Sequence, residues 1–307
     1  MLKNQLFGVE VEMTGITRKM AAEIVANVLG ATPSRPDTTC YHTITIIDQA
    51  NRIWKIMRDG SISPIKGDNT YTSTDEYKVE LVTPPLGYED INLLQSIIRK
   101  LRENGAKTNS SCGIHIHVDG ANHNPKSLRR LINFMTERQD LIYEALEIRN
   151  RASRWCRKLN PSLLNEMKKE KNISKRQTEE IWYSSANDGY CSGIDYDHYN
   201  STRYHGINLH SYFSKDTIEF RLFNSTLHAG KIKAYIQFCL AVSAWAITSD
   251  ESITFRSMAG YTPAQKVTIM RNILTQRLGL RGEEFKTCRL HLMTPLKKAA
   301  GMSCRAA

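Results

Sequence analysis

The chain has no apolar run long enough to cross a bilayer. Its best candidate, 235–247, is interrupted well short of the ~18 residues that a spanning helix needs. The opening residues, MLKNQLFGVE, contain no apolar signal core, so the expectation is a cytoplasmic protein with no membrane partner. There is no C-x-x-C spacing, and the seven cysteines are odd in number and scattered, which argues against a disulfide framework or a structural zinc site. Cys112 reads as a small packed residue rather than a nucleophile. A G-x-S-x-G elbow is missing, and so is a Walker A loop, which disfavours a serine nucleophile and a P-loop mode of nucleotide binding. No internal repeat or low-complexity segment is present.

What is present is an ordinary globular composition, 41% apolar and 24% charged over 307 residues, with an unusual placement of charge. Three short β-like runs alternate apolar with polar residues: FGVEVEM with Glu10 and Glu12, GIHIHV with His115 and His117, and TIEFRLF with Glu219 and Arg221. Residues two apart on a strand point the same way, so each run turns two polar heads to one face. A fourth run at 77–82 adds Glu80 between Val79 and Leu81. One such pair is what the wet face of a half-exposed sheet presents. Taken together, the polar positions are Glu, Glu, His, His, Glu and Arg with no lysine among them, which is unlike a wet face. Carboxylates with imidazole suit hard or borderline divalent cations, and an arginine beside them suits a phosphate.

FGVEVE at 7–12, ELVTPP at 80–85, CGIHIHV at 112–118, RYHGINLHS at 203–211 and IEFRLFNSTLH at 218–228 occur in that order. Together they resemble the amidoligases, carboxylate–amine ligases related to glutamine synthetase and γ-glutamylcysteine ligase, over about residues 5–245. The resemblance implies an ATP-dependent ligase with ATP and Mg²⁺, or Mn²⁺ in its place, as cofactors. Its partners would be a carboxylate substrate and an amine substrate. It makes Glu10, His115 and Glu219 ligands of one ion, and Glu12 and Glu80 ligands of a second. His117 is either a further ligand or a support for its neighbour. Arg221 and Arg203 would hold ATP phosphates with Asn208 nearby, and Asp59, in RDGSI, matches a turn common in such ligases. Asp-Gly is equally an ordinary turn signal. If a strand ran through 203–208, Arg203 would point away from the face shared by Tyr204 and Asn208, so its role requires the strand to start at or after Arg203. The implied fold is α+β: a curved, mostly antiparallel sheet of the glutamine synthetase/γ-glutamylcysteine ligase type, helices on one face.

Along the chain, residues 17–29 read as a helix capped by Thr17, with Met20, Ile24 and Val28 on one face. Three strands are expected within 42–82, including 53–58. A helix follows over 88–104, ended by Gly105 and burying Ile91, Leu94, Ile98 and Leu101. Pro125 opens another, capped by Asn124 and running to about Ile148. An apolar helix is expected over 229–248, and a further one from Thr262 and Pro263 to Gly279. The domain expectation is a catalytic domain over 1–250 with a basic, helical insertion at about 149–200, then a helical extension over 251–307 with a basic tail. The Gly- and Tyr-rich loop at 187–201 is a candidate lid. The net charge of +11 concentrates at 149–176 and 286–305, either as a solvated face or as a surface for an anionic substrate or nucleic acid. Trp155 and Trp182 would then either stack bases or anchor the core. Three rival readings remain open: a metal-dependent nuclease or hydrolase with a basic clamp, a guanidino kinase of related fold, and a binding module without catalysis.

Overall fold

A computed structural model describes residues 1–148, 150–169, 172–185, 193–250 and 258–304. In chain order the strands are β1 (Phe7–Met13), β2 (Ile44–Ile47), β3 (Ile53–Met57), β4 (Val79–Val82), β5 (Gly113–Asp119), β6 (Ile207–Asn208) and β7 (Thr217–Asn224). The helices are α1 (Arg18–Leu29), α2 (Ile91–Glu103), α3 (Pro125–Ala145), α4 (Pro161–Lys169), α5 (Lys175–Ser185), α6 (His210–Lys215), α7 (Ala229–Thr248), α8 (Pro263–Asn272) and α9 (Lys286–Ala299). The architecture is mixed α/β with an open antiparallel sheet. The chain forms two compact units, one of Leu6–Ile116 with Phe223–Lys233, the other of Met1–Gln5, His117–Leu222 and Ala234–Ala307. Strand β5 contributes its first residues to one unit and its last to the other.

In the first unit the strand order is β2-β3-β4-β1-β5. Antiparallel register sets Ile44, Ile56, Leu81 and Val11 in one row across four strands, each 3% exposed or less. Burying each such side chain stabilises by roughly 1.5–3 kcal/mol. One residue further along, the pleat turns Met57, Glu80 and Glu12 to the opposite face. Helix α1 packs on β2, β3 and β4, and α2 packs on α1. Thr17 caps α1 by accepting from Met20 N–H, as its sequence suggests. The buried stripe of α1, however, is Ala21, Ala22, Val25, Ala26 and Leu29, while Met20 is 44% exposed. Alanines let the helix lie close to the strands, and this contact outweighs the larger side chains at 20, 24 and 28. Helix α2 buries the four residues expected of it together with Ile97, and Gly105 beyond it has φ of +92°.

Tyr77, the first residue of the run expected over 77–82, closes a 3₁₀ turn, Asp75–Tyr77, and β4 begins at Val79. Arg58 Nε donates to Asp75 Oδ1 at 2.7 Å, and the buried Arg18 donates to the Asp75 carbonyl at 2.6 Å. These bonds hold the segment bent.

The second unit contains the end of β5, β7 as far as Leu222 and β6, in that order, with helices α3–α6, α7 from Ala234 onward, and α8 and α9. Asn124 caps α3, which ends at Ala145, three residues short of its expected end, where Glu147 takes φ of +54°. Within the basic stretch at 149–200 the described residues include two helices, α4 and α5, separated by turns and coil, and α4 packs on α3 and on α5. Trp182 on α5 is fully buried, so it anchors the core and is no stacking platform. Beyond α8 a π turn, Ile273–Arg277, precedes Gly279 at φ +66°. No helix among the described residues is long and apolar enough to cross a membrane.

Candidate active site

In β1 the alternation of FGVEVEM places Phe7, Val9, Val11 and Met13 in the core, each at most 1% exposed, and turns Glu10 and Glu12 the other way. Glu12 lies directly opposite Glu80 of β4, and both are buried. His115 of β5 completes the group. Ligand atoms of Glu12, Glu80 and His115 all lie within 4.8 Å of one another.

The partners of these side chains are specific. Gly113 N–H donates to Glu12 Oε2 at 2.6 Å, and His115 Nε2 stands 3.7 Å from Glu12 Oε1. The other ring nitrogen, Nδ1, is 2.8 Å from Glu10 Oε2. Like charges directly opposite one another on a sheet destabilise it. A cation between two such carboxylates would offset that repulsion. Two carboxylates and an imidazole are a donor set that fits Mg²⁺ or Mn²⁺, so the residues present suit a divalent ion.

In the second unit the same period-two logic sets Thr217, Glu219 and Arg221 along one face of β7. Asn208 of β6 is directly opposite Glu219 and donates Nδ2–H to its Oε2 at 2.6 Å. Arg221 Nη1 is 2.5 Å from Glu219 Oε1, with side-chain exposures of 6% and 4%. His117 Nε2 is 3.9 Å from the same carboxylate oxygen, and its Nδ1 is 3.0 Å from Thr217 Oγ1. Ser211 Oγ in turn lies 2.8 Å from Thr217 Oγ1. Thr217 and Ser211 thus brace His117, and neither stands out in the sequence by charge. Thr217 was detectable there as the residue two before Glu219 on one strand.

Arg203 ends a 3₁₀ turn, Ser201–Arg203, and β6 begins only at Ile207. The strand thus starts after Arg203, which removes the orientation conflict. Arg203 lines a cavity together with Asn208 and Glu219. Asp59 sits in the loop after β3, where its Oδ1 accepts from Ser61 N–H at 2.6 Å in an ordinary Asx turn. That turn is tied to the neighbourhood of β4 by Lys78 Nζ, 3.2 Å from the Gly60 carbonyl.

Cys112 is buried at the foot of β5, its Sγ 3.5 Å from Asn109 Oδ1. The candidate lid at 187–201 lies outside the described residues up to 192. In the described remainder Tyr196 donates to Glu179 Oε1 at 2.5 Å. The structure therefore gathers Glu10, Glu12, Glu80 and His115 in one unit, and His117, Asn208, Glu219 and Arg221 in the other.

No curated protein matches the chain. A family model described as "putative amidoligase enzyme" matches residues 3–243, a span that takes in all of these side chains. The chain belongs to the amidoligase family.

Proposed function

We propose that the protein is an ATP-dependent carboxylate–amine ligase that forms an amide through an acyl phosphate. The observation that supports this most strongly is the buried facing pair Glu12 and Glu80 with His115, in a chain of the amidoligase family. A carboxylate does not react with an amine at neutral pH, because its carbon is a poor electrophile and oxide is a poor leaving group. Transfer of the γ-phosphoryl of ATP to a carboxylate oxygen makes an acyl phosphate. The amine then attacks the carbonyl carbon and inorganic phosphate leaves.

Bound divalent ions would supply charge neutralisation at the phosphate oxygens. In this reading Glu10, Glu12, Glu80 and His115 hold them, and Glu219 keeps the ligand role that the family resemblance gives it. Arg221, fixed by Glu219, presents a buried cation to the transferring phosphoryl group. His117, braced by Thr217 and Ser211, keeps its Nε2 near the Glu219 carboxylate. Asp59 and the glutamine synthetase type of sheet belong to the same reading.

The test is product analysis after incubation with ATP, Mg²⁺ and a metabolite extract. The expected result is a product equal in mass to an acid plus an amine minus water, formed together with ADP. Hydrolysed nucleic acid, or a phosphorylated guanidine, in place of such a product would overturn it.

A further inference from the structure

The cavity beside Glu219 has a volume of about 400 Å³ and an unbalanced charge. Arg203 and Lys215 line it as cations, and neither makes an ion pair among the described residues. Arg203 Nη1 is engaged by a carbonyl, that of His198, at 2.5 Å, and its guanidinium lies 6.0 and 5.7 Å from the ring centres of Tyr199 and Tyr204, so its neighbours are a carbonyl and aromatic faces and, among the described residues, it has no carboxylate in an ion pair. The carboxylate on the lining, Glu219, is already clamped by Asn208 and Arg221. His210 also lines the cavity; its Nδ1 is 2.8 Å from the Tyr183 hydroxyl. Burial, then Arg203 and Lys215, hold its imidazole below the ordinary range, so it faces the cavity neutral and able to hydrogen-bond. Tyr196 and Phe213 supply apolar wall. Arg221, the cation suited to the phosphoryl group, is not among the lining residues.

We propose that this cavity seats the acid substrate, and that the acid carries a second anionic group, held by Arg203 and Lys215, beyond the carboxylate that reacts. Two cations without an ion-pair partner among the described residues, on a cavity lined by two aromatic rings and by hydrogen-bonding side chains, favour a dianion over a neutral or singly charged ligand. The seat gives Arg203 a role on the acid instead of on ATP phosphates. Calling the ligand the acid substrate rests on the ligase reading; its charge class rests on the cavity alone.

The test is calorimetric binding to the full chain with EDTA and without nucleotide, so that neither metal nor ATP contributes. The probes are succinate, glutarate and adipate, each against its own monoamide. The expected result is that at least one dianion binds about tenfold or more tightly than its monoamide, and that ADP does not compete with it. Lys215→Met should abolish the preference and Lys215→Arg should retain it. Lys215 is exposed, so both variants should fold, and Arg203→Met gives a second loss of preference. Equal binding of dianion and monoamide throughout, no binding by any dianion, a preference that survives Lys215→Met, or competition by ADP would each overturn the proposal. Because the assay contains no ATP, failure to form an amide product would sink the ligase reading and leave the dianion seat standing.

Discussion

At the scale of single residues, Glu12 and Glu80 carry the most consequence. With no cation between them, two facing carboxylates repel; with one, they bind it. Glu80→Gln or Glu12→Gln should therefore raise the melting temperature of the metal-free protein by ~1–2 °C, since a directly opposed like-charge pair costs roughly 0.2–1 kcal/mol. The same variants should lose the further rise that Mn²⁺ or Mg²⁺ gives the native protein. Thermal scans with and without metal read both effects, and an undiminished metal-dependent rise in both variants would exclude an ion at this pair. The glutamates were legible as candidates because period-two alternation is local to seven residues. Their facing register was not legible, because β1 and β4 meet across nearly seventy residues of chain. His123 gives a different, purely structural test. Its ring lies between Ser127 Oγ and Ser243 Oγ, at 3.1 and 2.9 Å, and burial lowers its pKa to about 4. In the unfolded chain it takes up a proton near pH 6.5, so between those values the unfolded state binds more protons and stability rises with pH. The unfolding free energy read from urea titrations should fall as pH drops from 6.5 to 4, by roughly 3 kcal/mol from this residue if it acts alone. His123→Gln should flatten that slope, and an unchanged slope would assign the acid sensitivity elsewhere.

At the scale of elements, the approach to β6 depends on a glycine. A Cβ built on Gly206 collides with the hydroxyl of Tyr143, which donates to the Cys156 carbonyl at 2.7 Å. Gly206→Ala should destabilise by about 1–3 kcal/mol through overpacking. Tyr143→Phe removes the colliding oxygen, so the double variant should lose less than the sum of the two single losses; strict additivity in urea unfolding would show the two residues to be uncoupled. The sequence announces G-I-N in this stretch without disclosing why glycine is needed, since Tyr143 arrives from α3. Helix α1 shows the same limit in another form. Its cap at Thr17 was readable because capping is a contact three residues long. Its buried face was not, because three alanines packing closely on strands outweigh the hydrophobicity of Met20. Likewise the bend at 75–77 follows from Arg18 and Arg58, which reach it from distant segments.

At the scale of the whole molecule, the family match ends at residue 243, while α8 and α9 lie beyond it, α9 packing on α3. The ordered motifs disclosed the family because four of them lie on or at the end of strands β1, β4, β5 and β7, where apolar residues alternate with polar ones, while the fifth runs from a 3₁₀ turn through β6 into α6. The cavity charge was not readable, since Arg203 and Lys215 stand on opposite sides of a strand and a short helix and become neighbours only in the fold. The central claim is that ATP activates a carboxylate as an acyl phosphate. Its most direct test is positional isotope exchange with ATP labelled at the β,γ-bridging oxygen, in the presence of Mg²⁺ and the acid but no amine. The expected result is acid-dependent movement of the label into non-bridging β-phosphate positions, because the β-phosphate of bound ADP rotates before the transfer reverses. Arg221→Ala should suppress the exchange by the equivalent of about 2–4 kcal/mol, and Arg221→Lys, which keeps the charge beside Glu219, should restore part of it. Amide product formed from ATP, acid and amine, with no label movement under any condition in which bound ADP is long-lived, would contradict a reversible acyl phosphate.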